Sequence, residues 1–335
     1  MDLNLSDAPY EFWMGGKHAT KLVEISKDPA VLDDGNFWAI STTFEGVFTF
    51  ARFDKVVDEE FTAPSWTPIE SRWRSTLNRL EYIEYVKSAQ QEISEGLIYQ
   101  VNACRILSTG GVVQGLNSLF KELLRANPAP FASYLKLPAL EIASASPELF
   151  ISRLGNRVKT SPIKGTQTLN EEGFSQKDQA ENIMIVDLMR NDLGQICSPG
   201  SIEVEHLLRS EDHPGIRHLV SDVVGDLKPG TSWAQILEAL LPPGSVSGAP
   251  KHSALISISK HEKGARGPYC GALGWIQGDS SVLSVAIRTF WKETDNVLRF
   301  GTGAGITWQS DANSEWEETE LKAMKLLSIA GGELS

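Results

Sequence analysis

Helix-like and strand-like periodicities follow one another along this chain in mixed order, without the strict strand–helix–strand alternation of a parallel sheet. That ordering restricts the fold to an α+β arrangement built largely on antiparallel sheet. Residues 36–53 are aromatic and β-branched and read as two strands turning at Glu45-Gly46. A helix follows, with Leu80, Ile83, Val86, Ala89 and Ile93 as its expected apolar stripe and Gly96 at its end. Segment 97–107 alternates as a strand, which puts Ile98, Gln100, Asn102 and Cys104 on one face. Further strands are expected within 131–160 and near 201–207, 217–224, 270–277, 281–290 and 297–300. Helices are expected near 176–193, with Ile183, Val186 and Met189 buried, and near 232–241, 250–262 and 314–329. Two prolines in the stretch 62–69, TAPSWTPI, set a short β-rich N-terminal segment, 1–69, apart from a main domain over 70–332.

With 41% hydrophobic and 22% charged residues, the 335-residue chain has the means to bury a core. Its net charge of -12 argues against nucleic acid and anionic membrane as partners. An anionic metabolite remains an option only if an arginine, backbone N–H groups or a metal supplies local positive charge. Cys104, Cys197 and Cys270 lack the close spacing of a zinc or redox motif. With no signal-like N-terminus and no apolar run of about 20 residues, a cytoplasmic location is expected.

Chemistry enters with two carboxylate pairs at helical spacing. Asp178 and Glu181 share one helix face, and Glu315 and Glu318 share another. Like charges so placed repel unless solvent or a cation relieves them, and magnesium takes such oxygen ligands. Taken alone, Glu315 and Glu318 read more simply as a solvated first helical turn, with Ser314 and Glu317 fitting a capping box. Lys164 lies in SPIKGT, confined by proline and glycine. An ordinary lysine is neutral about once in 2,500 molecules at pH 7, so nucleophilic duty requires burial or nearby cations to lower its pKa. The stretch FGTGAGITW at 300–308 lacks dinucleotide-binding spacing. It suits either a strand bend or backbone N–H groups approaching an anion. Arg288, among apolar neighbours in SVAIRTF, is a candidate carboxylate fork.

From about Leu80 onward the chain carries, in order, IYQVN at 98–102, SASPELF at 144–150, PIKGT at 162–166, AENIMIVDLMRNDLG at 180–194 and HLVS at 218–221. PPGSVSGAPK follows at 242–251, then YCGALGW at 269–275, AIRT at 286–289, GTGAGI at 301–306 and EWEET at 315–319. This ordered set resembles the chorismate-utilising family of aminodeoxychorismate, anthranilate, isochorismate and salicylate synthases. The resemblance implies an α+β fold of two packed antiparallel sheets with helices outside. It also implies a magnesium ion on Glu181 and Glu318, with Asp178 and Glu315 acting through water. Glu148 is then the general acid/base, and His218 assists at the C4 hydroxyl. Gln100, Thr166, Arg288 and the backbone of Gly303, Ala304 and Gly305 would contact the substrate.

Within that family, members that hydrate the ring resemble one another in having a lysine base where this chain has Gln100. Anthranilate synthases usually read PIAGT, whereas PIKGT resembles the aminodeoxychorismate branch, in which the lysine forms a covalent adduct. What this implies is amination of chorismate with ammonia on the way to para-aminobenzoate and folate. No cysteine here sits in a G-x-C-x-G elbow, so the ammonia is expected from a glutamine amidotransferase partner. The alternatives are an anthranilate synthase, a non-catalytic scaffold that binds chorismate or the amidotransferase, and, more remotely, a nucleotide-binding oxidoreductase. The short stretch before Leu80 implies a missing or reduced tryptophan pocket.

Overall fold

The computed structural model describes residues 9–169, 173–213 and 216–334, with the Thr166 side chain outside the described set. Its strands join edge to edge in one hydrogen-bonded network. From the strand Glu203–His213 the antiparallel pairing runs through Ile216–Asp226, Arg157–Ser161, Leu149–Leu154 and Ser280–Val285. It continues through Ala272–Gln277, Phe37–Thr42, Phe48–Asp58 and Lys17–Ser26. Glu11–Met14 then pairs with Lys17–Ser26 on one side and with Phe131–Leu137 on the other. Beyond it lie Leu140–Ser146, Thr289–Glu293, Leu298–Ile306 and Gln100–Thr109. The two expected sheets are therefore two halves of one ladder, joined at Glu11–Met14.

Period-two alternation sorts the core. Leu135 and Leu137 join the larger cluster, which includes Phe12, Trp38 and Trp275. Ala132 and Tyr134 point the other way, to meet Leu119, Phe120 and Leu123 of helix α2 (Leu116–Ala126) and Leu326 and Leu327 of the C-terminal helix Ala312–Ala330. Each large side chain so buried contributes roughly 1.5–3 kcal/mol against exposure.

Among the described residues, six α-helices decorate the ladder: α1 (Arg79–Ser94), α2, α3 (Gln176–Ile196), α4 (Trp233–Leu240), α5 (Lys251–His261) and α6 (Ala312–Ala330). None among the described residues is long and apolar enough to cross a membrane. The expected stripe of α1 faces the core at Ile83, Val86, Ala89 and Ile93 but not at Leu80. Tyr82, Tyr85, Val86 and Ala89 are buried while Leu80 is 73% exposed, because two tyrosines take core positions that a search for aliphatics passes over. Ile183 is likewise exposed on α3, whose inner face is Asn182, Ile185, Val186 and Met189. Helix α2 has no counterpart in the sequence pattern, while the strands Glu11–Met14 and Lys17–Ser26 give positions within the β-rich N-terminal segment.

Three local corrections bear on function. The expected strand 281–290 breaks after Val285 and resumes at Thr289, with Arg288 in the left-handed region at φ 53°. The glycine stretch does not bend: Leu298–Ile306 is one continuous strand. Helix α6 is capped by Asp311, whose side chain accepts from the Ser314 N–H, in place of the expected Ser314 and Glu317 box.

Candidate functional site

Lys164 sits in the strand Ile163–Thr168, which pairs with Ile216–Asp226 with a shift of register between Lys164 and Thr166. Gly165, at φ 77°, makes that bulge, and a Cβ there would press on Asp178 and Phe174 at 3.0 Å. The bulge aims the lysine inward, where Nζ donates to the Ser245 carbonyl at 3.1 Å. Burial lowers the Lys164 pKa, Glu181 and Glu148 pull it back up, and Lys322 pushes it down, leaving it below the ordinary lysine value.

Glu148 follows Pro147 at the turn between two sheet strands and is 4% exposed. Burial pushes its carboxyl up to about 7, against hydrogen bonds from Ser245 and the Ile163 backbone and the charges of Lys164 and Arg288. Ser245 thus acts on both groups, its side chain drawing the Glu148 pKa down and its carbonyl accepting from Lys164. It lies in the quoted motif PPGSVSGAPK, yet a serine among glycines and prolines gave no signal of such a role.

His218 is buried on the strand beside Thr166. Burial, Arg288 and His213 lower its pKa to about 3, while a backbone hydrogen bond to Gly165 opposes them. The His213 ring stands 5.3 Å from that of His218, another neighbour the sequence did not single out. Arg288 shares a recess with both histidines and with Pro147. Burial lowers its pKa and Glu148 raises it.

Gln100 is 1% exposed, and its Oε1 has no hydrogen-bond partner among the described residues. Its Nε2 is 2.6 Å from where a Cβ on Gly305 would stand, so glycine at 305 is what lets the amide lie against that strand. Gly303, Ala304 and Gly305 pair with Cys104, Ala103 and Asn102.

The acidic residues come from α3 and α6. Glu315 is 3% exposed despite its place in the first turn of α6, which the solvated-turn reading does not explain. Burial raises the Glu181 pKa, Lys164 and Lys177 lower it, and Glu315 and Asp178 raise it further. Burial also raises that of Glu318, but Lys322, Lys177 and Lys164 outweigh it and leave it low. Lys322 Nζ sits 2.6 Å from Glu318 and 3.1 Å from the Gly303 carbonyl. Asp178 is engaged in a capping box with Ser175, whose hydroxyl donates to it at 2.6 Å. Glu181, Glu315, Glu318 and Lys164 therefore interact as one electrostatic cluster, with Asp178 at its edge. All-oxygen donors, and a buried amide oxygen nearby left without a partner, suit a hard divalent cation.

Two other features carry no such chemistry. Among the described residues, the group of acids and histidines that draws within 4.8 Å is Glu205, His206 and Asp222, and no three of Asp178, Glu181, Glu315 and Glu318 converge so closely. Asp222 is already paired with Lys159 and Arg209. A groove of about 680 Å³ between Phe44–Phe48, α4 and α5 contains none of the residues above, and its Arg266 is bound to Glu262.

The sequence pattern of the chorismate binding enzyme family matches residues 45–328. Anthranilate synthase component 1 of Saccharolobus solfataricus is 38% identical over 76% of this chain and 63% of its own length. Aminodeoxychorismate synthase component 1 of Salmonella typhimurium is 36% identical over 79% of this chain and 61% of its own. The chain thus spans about three-fifths of the length of these curated relatives. Anthranilate synthase component I of Streptococcus pneumoniae superposes with TM-score 0.81 at 22% identity, covering 97% of this chain and 94% of that one. The menaquinone-specific isochorismate synthase of Escherichia coli gives 0.82 at 18%, covering 98% and 90%. At those identities the superpositions speak for the fold.

Proposed function

Because this chain belongs to the chorismate binding enzyme family, we propose that it aminates chorismate with ammonia to 4-amino-4-deoxychorismate through a covalent adduct on Lys164. The observation that carries this reading is the half-buried Lys164, its amine of lowered pKa held by the Ser245 carbonyl beside a buried carboxyl whose pKa is about 7. A proton moves from the Lys164 ammonium to Glu148, freeing the amine and arming the acid. The amine bonds to ring carbon C2, the two ring double bonds shift to C1–C6 and C4–C5, and the C4–O bond breaks as Glu148 returns the proton to the hydroxyl, which leaves as water. Ammonia then bonds to C4, both double bonds shift back, and the C2–N bond breaks with proton transfer from the new ammonium group to the departing lysine.

His218 is neutral near pH 7 and serves the departing hydroxyl as a hydrogen-bonding group, not as a strong acid. Arg288 and the backbone of Gly303 to Gly305 hold the enolpyruvyl carboxylate, with Gln100 and Thr166 as further substrate contacts. Glu181 and Glu318 would hold magnesium, with Glu315 and Asp178 acting through water. When bound, the ion supplies charge stabilisation at the ring carboxylate. Ammonia comes from a glutamine amidotransferase partner, and the product feeds para-aminobenzoate and folate synthesis.

Anthranilate synthase is the second reading, favoured by relatives of that name at equal similarity. Supplying chorismate, magnesium and nitrogen-15 ammonium and locating the label by NMR decides between them. Nitrogen at C4 supports amination as written, and nitrogen at C2 overturns it in favour of the second reading.

A further inference from the structure

The acidic cluster contains a cation of its own. Lys177 Nζ lies 3.4 Å from Glu315 Oε1 and 3.8 Å from Glu181 Oε1, bridging α6 and α3. Its place is not one that helix energetics favour: Lys177 is in the first turn of α3, where the helix dipole prefers anions and where Asp178 meets that preference. Its partners are unequal in burial, with Glu315 side chain 4% exposed and Glu181 15%, while the lysine itself is 41% exposed and has a route to solvent. Two carboxylates held largely out of solvent on separate helices would repel without a positive charge between them.

We propose that Lys177 is a built-in counter-ion of this cluster, bridging Glu181 and Glu315 until a divalent cation takes over their charge and the lysine is released towards solvent. This rests on the reading that these glutamates serve a divalent cation. The lysine keeps α3 and α6 together in the unloaded protein. It also sets a threshold, because an incoming cation must outbid a resident unit charge. Sodium or potassium, with one charge each, gains little by the exchange, whereas a divalent ion gains a whole charge against the same pair of acids. Discrimination against monovalent ions thus comes from the charge already present as well as from the number of oxygen ligands.

The test uses manganese as the probe, followed by its electron paramagnetic resonance signal and by calorimetry, with no substrate present. Lys177→Gln should bind manganese about thirtyfold more tightly than the wild type. That is the size expected from removing one unit charge about 4 Å from a divalent ion in a well-solvated setting. Without metal this variant should unfold at a lower temperature, and manganese should restore the difference. Lys177→Arg, which keeps the charge, should follow the wild type in both measurements. Unchanged or weaker manganese binding in Lys177→Gln, with saturable binding in the wild type, overturns the counter-ion role and leaves the divalent site standing. Absence of saturable binding in both proteins removes the divalent site and this inference with it.

Discussion

The Ser245 carbonyl accepts a hydrogen bond from Lys164 Nζ at 3.1 Å, while the same serine's side chain draws the Glu148 pKa down. One residue in a short 3-10 turn at Gly244–Val246 therefore acts on both the amine and its acid/base partner. Incubation with chorismate should give a substrate-derived mass increase on the wild-type protein that is absent from Lys164→Ala. An adduct persisting on another residue would take the nucleophile's role from Lys164.

Glu148 should appear in the pH profile. Its carboxyl titrates at about 7, and the productive free enzyme is the form in which Lys164 and Glu148 together carry one proton. As pH falls through about 7 a second proton is taken up, so kcat/KM should drop on that side. Glu148→Gln should lose this acid limb and about 10²–10⁴ in rate. An unchanged limb in the variant would assign it to another group.

The buried His218 makes stability depend on acid. Its folded pKa is about 3, below the ordinary 6.5, so the unfolded chain binds the extra proton first as pH drops. The folded state should therefore weaken as pH falls from 6.5 towards 3, by up to about 1.4 kcal/mol per unit from this one group. Denaturant titrations of wild type and His218→Gln at several pH values read that slope. The variant should lose less stability on acidification, and parallel curves would show that His218 is not the group responsible.

Lys251 Nζ meets Asp192 Oδ2 at 2.6 Å, tying the start of α5 to α3, and both side chains are mostly buried. Asp192→Ala leaves an uncompensated buried ammonium and should cost about 3–5 kcal/mol in chemical denaturation. A loss under about 1 kcal/mol would mean that water reaches the pair, as at surface ion pairs.

Gly301 lies so close to the Tyr269 ring that a Cβ would stand 2.1 Å from it. Gly301→Ala should destabilise by about 1–3 kcal/mol through overpacking. The contact lies within a regular strand, so the strain comes from packing and not from backbone conformation. A neutral result would show that the tyrosine moves aside freely.

Local order in the chain already determined a good deal. Mixed helix and strand periodicity pointed to the antiparallel α+β fold, and the ordered motifs from IYQVN to EWEET pointed to the family, because both are properties of neighbouring residues. The turn at Glu45-Gly46 was legible for the same reason: it depends on a glycine at φ 82° between two strand patterns. Only tertiary structure decided that Glu315 is buried, that Ser245 joins Lys164 to Glu148, and that Lys177 bridges α3 and α6. Those facts depend on residues 81 to 138 positions apart in the chain. A side chain's charge, burial and partners are set by what the rest of the fold brings against it, which spacing within a single helix or strand does not encode.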